Sequence, residues 1–243
     1  MAQGVLLVNL GTPASASVAD VRAYLAEFLS DPYVIDLPGP LRQLLLRGVI
    51  LPFRPRRSAA AYGRIWDAAG PGTGSPLLHY STALAAALST RLAGVPVALG
   101  MRYGAPRIDT ALGALIEQGV TEIALLALYP QHADSTRATT IEAVQRVLPA
   151  GAGLTVVPPF YSDRDYIGVQ AELIRRHLPC GWRRPGDHLL LSYHGLPERH
   201  LVRADPTGSH CLRREDCCET PSPAHATCYR HQVRRTSSVL RRG

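Results

Sequence analysis

No apolar run in the chain approaches the ~20 residues needed to cross a bilayer, which excludes a spanning helix as a reading. Its first residues lead directly into an apolar segment, without a basic region or a small-residue cleavage site. No secretory leader is therefore expected, and a cytoplasmic protein is. Zinc-finger spacing, RNA-recognition motifs and a long basic tail are all missing, which sets nucleic acid aside as a partner. No C-x-x-C pair occurs, so a zinc ribbon has no sequence basis. Charged residues are only 19% of the chain against 46% hydrophobic, too few for a disordered protein.

What is present is a globular chain of 243 residues with a net charge of +7, long enough for one large domain or two small ones. With nucleic acid set aside, the positive charge points to an acidic small molecule or an anionic membrane surface. The basic amphipathic stretch from Leu41 to Ile50 suits two readings, an ordinary surface helix and a membrane-facing one, and the group from Pro52 to Arg57 is expected to end it.

Short apolar runs alternate with helical periodicity. Strands are expected at 4–10, 95–100, 123–128, 154–157 and 188–192. Helices are expected from a capping-box-like Ser17, and over 108–118, 139–148 and 166–178. This order predicts doubly wound parallel α/β architecture. A boundary near 149–153 divides the chain into half-domains 1–150 and 151–243, the second with only two expected strands. Ligands in such folds bind past the carboxyl ends of strands. Asn9, Leu10 and Gly11, Arg102 and Tyr103, Tyr129 to Gln131, and Ser192 to His194 all sit at or just past the carboxyl ends of expected strands and are the candidate site. His194, at the end of an apolar run, is a candidate base or metal ligand, against the alternative of a histidine bonded at a loop entrance.

The blocks Val8 to Pro13, Glu27 to Pro32, Tyr62 to Trp66, Gly74 to Leu77, Gly100 to Gly104, Tyr129 to Gln131 with Ser135 and Thr136, and Ser192 to Pro197 resemble the ferrochelatase family in content and order. The resemblance implies two Rossmann-like half-domains of the class II chelatase kind and the insertion of Fe²⁺ into protoporphyrin. It implies that His194 is the catalytic residue that meets the incoming iron or takes the pyrrole protons. Leu10, Arg64, Arg102, Tyr103, Tyr129, Gln131 and Ser192 become expected porphyrin contacts. His132, Asp134 and the run from Ala204 to Thr207 depart from the family pattern. Family members continue with further strands and an acidic residue that faces the histidine, so the second half-domain is expected to be incomplete and iron insertion weak. The other readings are a sister chelatase and a non-catalytic porphyrin-binding or iron–sulfur remnant.

Cys211, Cys217, Cys218 and Cys228 crowd into the loop 207–228 with His210 and His225. Zinc, a [2Fe–2S] cluster and free thiols are all open to such a set. Some bacterial ferrochelatases carry a [2Fe–2S] cluster on an internal cysteine segment, which this loop resembles. The prolines and polar residues leave the loop no evident core of its own. Cys180 stands apart and reads as structural.

Overall fold

The computed structural model describes residues 2–179 and 186–240. They form two compact units, one of residues up to Leu128 together with Ser135–Val157, the other of Tyr129–Asp134 together with the residues from Pro158 onward.

The first unit is built on a four-stranded parallel sheet. Strand β1 (Gln3–Gly11) leads into helix α1 (Val18–Ser30), and α2 (Gly39–Leu45), a wide turn over Leu46–Ile50, α3 (Leu51–Ile65) and α4 (Pro76–Arg91) follow. Then come β2 (Val97–Tyr103), α5 (Ile108–Glu117), β3 (Glu122–Ala127), α6 (Thr139–Val147) and β4 (Gly153–Val156). The strand order is β2-β1-β3-β4. β1 pairs in parallel on both sides, Val8 with Gly100 and with Ala127, which explains its continuous apolar sequence.

Helices pack on both faces. Leu6, Val8, Ile123 and Leu125 join Leu112 and Leu115 of α5 and Val144 of α6 in one apolar cluster. Val21, Leu25 and Leu29 of α1 meet Leu46, Ala59 and Tyr103 in another. The α1 stripe buries these residues at helical spacing, and the Ser17 hydroxyl caps the helix by accepting from the Asp20 N–H at 3.1 Å.

Three expectations are corrected. The run 188–192 belongs to no strand. Its backbone joins no ladder, Leu190 is 89% exposed, and the second unit offers it no neighbouring strand among the described residues. The strand expected at 154–157 is β4, and it extends the sheet of the first unit by pairing with β3. The prolines after Ile50 do not end the helical run, which continues as α3 to Ile65. Pro52 lies in the first turn, where a missing N–H costs nothing, and Pro55 is buried by packing.

The carboxyl ends of β1 and β2 come together through two glycines. Gly11 has φ +108°, and a Cβ there would stand 1.7 Å from the Tyr103 carbonyl oxygen. Gly104 has φ +79°, and its Cβ would lie 2.7 Å from the Thr12 carbonyl. Backbone cannot retreat as a flexible side chain can. Gly11→Ala is therefore expected to cost about 3 kcal/mol or more of stability, read as a lowered urea midpoint at unchanged slope. A midpoint shift worth less than about 1 kcal/mol would refute it.

The second unit holds α7 (Arg164–His177), α8 (Glu198–Arg203), a short turn of helix over Pro223–Ala226 and α9 (Tyr229–Leu240).

Candidate functional site

In the first unit the expected residues Leu10, Arg102 and Tyr103 lie at the carboxyl ends of β1 and β2. Leu10 packs half-buried against the apolar cluster under α1. Asn9 turns its amide to Ser81 of α4 at 3.0 Å and takes the Leu10 N–H at 2.8 Å, which orients the loop that starts there. Arg102 donates from Nη2 to Asp31 at 2.5 Å and from Nε to Thr139 at 2.8 Å. Its guanidinium lies 4.4 Å from the Tyr103 ring centroid, close enough for cation–π attraction. The Tyr103 hydroxyl donates to Asp31 at 2.7 Å. Burial, against the pull of the Arg102 charge, pushes the Tyr103 phenol far above its ordinary pKa, so it stays protonated. Two adjoining cavities open beside this group. One, of about 230 Å³, is bounded by Asp31, Tyr33, Arg102 and Glu142, and the other, of about 170 Å³, by Met101, Arg102, Arg107 and Arg146. Arg64 lies in the last turn of α3, exposed.

In the second unit, His194 is exposed in the segment that leads to α8, not at the end of a strand. Two contacts with α9 moor that segment. Ser237 donates to the Tyr193 hydroxyl at 3.2 Å, and the Tyr229 phenol hydrogen-bonds the His194 backbone. Gln131 donates to Thr236 at 3.3 Å, and the His132 N–H donates to the buried Gln232 at 2.6 Å, so the 131–134 segment is docked on the same helix. Asp134 receives Arg203 at 3.3 Å and lies 3.6 Å from His132. The His132 contact comes first among the interactions that hold its carboxyl below the usual range. Tyr129 is half-buried and Ser192 exposed. Tyr229, Gln232 and Ser237 were not among the candidates. Tyr193 stands inside the His194 block, but the α9 residues carry no local signal, since their role comes only from the packing of that helix.

The cysteine segment has a core, contrary to the expectation from its composition, and the thiols themselves supply it. Cys211, Cys217, Cys218 and Cys228 are all buried and free, with Cys211 and Cys228 packed on Ala224. Burial, then the neighbouring Cys228 thiol, pushes Cys211 up to about 12. Burial, then Cys228 and Cys217, pushes Cys218 up to about 11. Three imidazoles lie on the adjacent backbone. His210 and His225 reach the Cys217 carbonyl at 2.6 and 2.9 Å, and His231 reaches the Cys218 carbonyl at 2.7 Å. The His225 and His231 rings stack at 3.7 Å. Among the described residues, no three His, Cys, Asp or Glu side chains converge in a metal-binding arrangement. Cys180 lies outside the described residues.

Asp205 organises the loop that enters this segment. Its carboxylate accepts the N–H groups of Thr207, His210 and Cys211 at 2.9, 2.8 and 2.8 Å, and the Thr207 hydroxyl at 2.7 Å. Burial alone would raise its pKa, but these donors overcome that and hold it well below the ordinary carboxylate range. A depressed carboxyl stabilises the fold above its unfolded value of about 3.9, and that contribution begins to fall there and is lost progressively as the pH drops towards the lower folded value. The urea midpoint is accordingly expected to drop more steeply between pH 5 and pH 3 in the unaltered chain than in Asp205→Asn. Parallel curves would exclude this role.

A parallel sheet with helices on both faces and polar side chains at its strand ends defines the first unit as an α/β protein of the class whose ligands bind at that edge. The family model described as Ferrochelatase matches residues 2–242. Ferrochelatases of Pseudomonas syringae pv. tomato and Stutzerimonas stutzeri are 50% and 49% identical to the chain over 240 and 239 residues, covering 97% of it in each case and 68% and 67% of the relatives. The ferrochelatase of Azotobacter vinelandii is 49% identical over 243 residues, 98% of this chain and 69% of its own length. The chain belongs to the ferrochelatase family. Ferrochelatases are lyases that insert Fe²⁺ into protoporphyrin.

Proposed function

We propose that the chain acts in iron insertion into protoporphyrin, with His194 as the base and the first protein contact of the metal. The family match over nearly the whole chain carries this reading. The reaction replaces two pyrrole N–H bonds with bonds from the four ring nitrogens to Fe²⁺ and releases two protons. The exposed His194 imidazole has a ring nitrogen that can accept such protons. Mooring of the flanking backbone on α9 holds His194 in place while leaving its ring accessible.

Leu10, Arg102 and Tyr103 serve as porphyrin contacts at the strand ends, Leu10 as apolar wall and Arg102 as a cation for the propionates. Tyr103, kept protonated, contributes surface and a fixed hydrogen bond, not proton transfer. Arg64, Tyr129, Gln131 and Ser192 are assigned to the same porphyrin by resemblance. Anaerobic protein given Fe²⁺ and protoporphyrin should lose porphyrin fluorescence and gain heme absorbance above the protein-free rate. Porphyrin binding without insertion would favour a non-catalytic binding role, and the absence of both would overturn the proposal.

Cys211, Cys217, Cys218 and Cys228 are proposed as ligands of a [2Fe–2S] cluster. The donor set fits. Four buried sulfurs neighbour one another, and the His231 N–H reaches the Cys228 sulfur at 3.5 Å, a bond of the type that stabilises cluster sulfurs. When bound, the cluster would supply structural cohesion or redox sensing. The protein's part is to keep the thiols together and shielded from water.

Contact with an anionic membrane surface is proposed for α2 and α3. Leu41, Leu44, Val49 and Phe53 are 50%, 70%, 55% and 76% exposed there, among Arg47, Arg54, Arg56 and Arg57. No helix among the described residues is long and apolar enough to cross a membrane. Sedimentation with phosphatidylglycerol vesicles, lost on Phe53→Asp at unchanged fold, tests the contact. Equal sedimentation of both proteins would refute it.

A further inference from the structure

Three segments that stand apart in the sequence, 27–32, 100–104 and 135–140, meet at one side chain of the first unit. Asp31 follows α1 and is only 6% exposed. Its Oδ2 accepts from Arg102 Nη2 at 2.5 Å, from the Tyr103 hydroxyl at 2.7 Å and from the Thr139 hydroxyl at 2.6 Å. Its Oδ1 accepts the Tyr33 N–H at 2.8 Å. The Thr139 oxygen in turn accepts from Arg102 Nε at 2.8 Å, which closes a ring of bonds through Asp31, Arg102 and Thr139. Arg102 and Tyr103 are successive residues at the end of β2, and the Arg102 guanidinium lies over the Tyr103 ring, so one carboxylate reaches both.

We propose that Asp31 is a positioning residue for the porphyrin wall, holding Arg102 and Tyr103 as one charge-compensated unit. The inference rests on the porphyrin reading of Arg102 given above. Asp31 has little surface for a ligand, and both its oxygens are occupied by protein donors, so it acts through its partners. Two faces of the guanidinium, Nε and Nη2, are committed to Thr139 and Asp31. The Arg102 rotamer is thereby set, and Nη1 remains for the cavities it borders. A carboxylate that pins an arginine in this way fixes the direction of its free edge, which a loose surface arginine lacks. The arrangement also explains why a signature at the end of α1 and another at the end of β2 occur in one protein: each supplies half of the pair.

Titration of the purified chain with protoporphyrin, followed by fluorescence, tests the assignment. Asp31→Asn is expected to weaken binding about tenfold, Arg102→Met by a similar factor, and the double variant no further, because both act as one unit. Asp31→Leu with Arg102→Met replaces the pair without leaving a buried charge and should fold normally, yet bind about as weakly as the single variants. Circular dichroism melts run alongside. A folded Asp31→Asn protein with unchanged affinity overturns the inference, as do losses that add in the double variant or a Leu–Met protein that binds normally. If the unaltered chain binds no protoporphyrin, the porphyrin reading of Arg102 falls and this inference with it, an outcome distinct from the others.

Discussion

Replacing His194 by alanine is expected to abolish iron insertion, a fall of at least about a hundredfold in turnover, while protoporphyrin affinity changes by less than about twofold. The split follows from the position of the residue. His194 is exposed and supports no apolar cluster, so its removal leaves no cavity. Its backbone is moored through Tyr193 and Tyr229, which the substitution leaves in place. On the proposed assignment, loss of the imidazole removes the acceptor of the pyrrole protons and leaves the proposed apolar and charged contacts of the macrocycle untouched. Anaerobic stopped-flow assays of heme formation, paired with fluorescence titration of porphyrin, read the two quantities separately. Turnover within about threefold of the unaltered protein would refute the base assignment. An equal collapse of affinity would make His194 a porphyrin contact instead.

Serine at any one of positions 211, 217, 218 or 228 is expected to bleach anaerobically purified protein completely. The unaltered chain should be coloured and hold about two irons. The four thiols are buried in one segment, and Cys211 and Cys218 are pushed up to about 12 and about 11 by burial and then by the neighbouring Cys228. Such sulfurs give up their protons at neutral pH only to a metal that compensates the charge. Each substitution removes a ligand from a set with no spare cysteine among the described residues. Cys180→Ser, which lies outside the set, should keep the colour. Visible absorbance and iron and sulfide analysis decide the matter. Colourless protein with one zinc would make the segment a zinc site, and protein without bound metal would leave it a core of thiols.

Much of the first unit was legible in the sequence, because its signals are local. The apolar run of β1, the capping Ser17 and the stripes of α1, α5 and α6 each lie within a dozen residues, and a strand buried on both faces has to be apolar throughout. The sequence placed Leu10, Arg102 and Tyr103 at the carboxyl ends of strands, and they lie there in β1 and β2, because the turns that end those strands are marked by local glycines. The second unit was less legible. The run 188–192 has the composition of a strand, yet composition supplies no partner, and a strand exists only as part of a ladder. The cysteine loop read as coreless because thiols count as chemistry in a sequence, whereas folded they are compact apolar groups that pack on Ala224.

The sequence by itself determined the parallel α/β class, the order of the ferrochelatase blocks and the four clustered cysteines, since these are carried by residue type and spacing along the chain. Only the tertiary structure decided that β4 joins the first sheet, that α9 anchors the His194 and Gln131 segments, and that Asp31 gathers Arg102, Tyr103 and Thr139. The contacts of Asp31 with these three span 71, 72 and 108 residues of chain. Hydrogen bonds at such separations depend on how whole elements pack, and no local pattern records them.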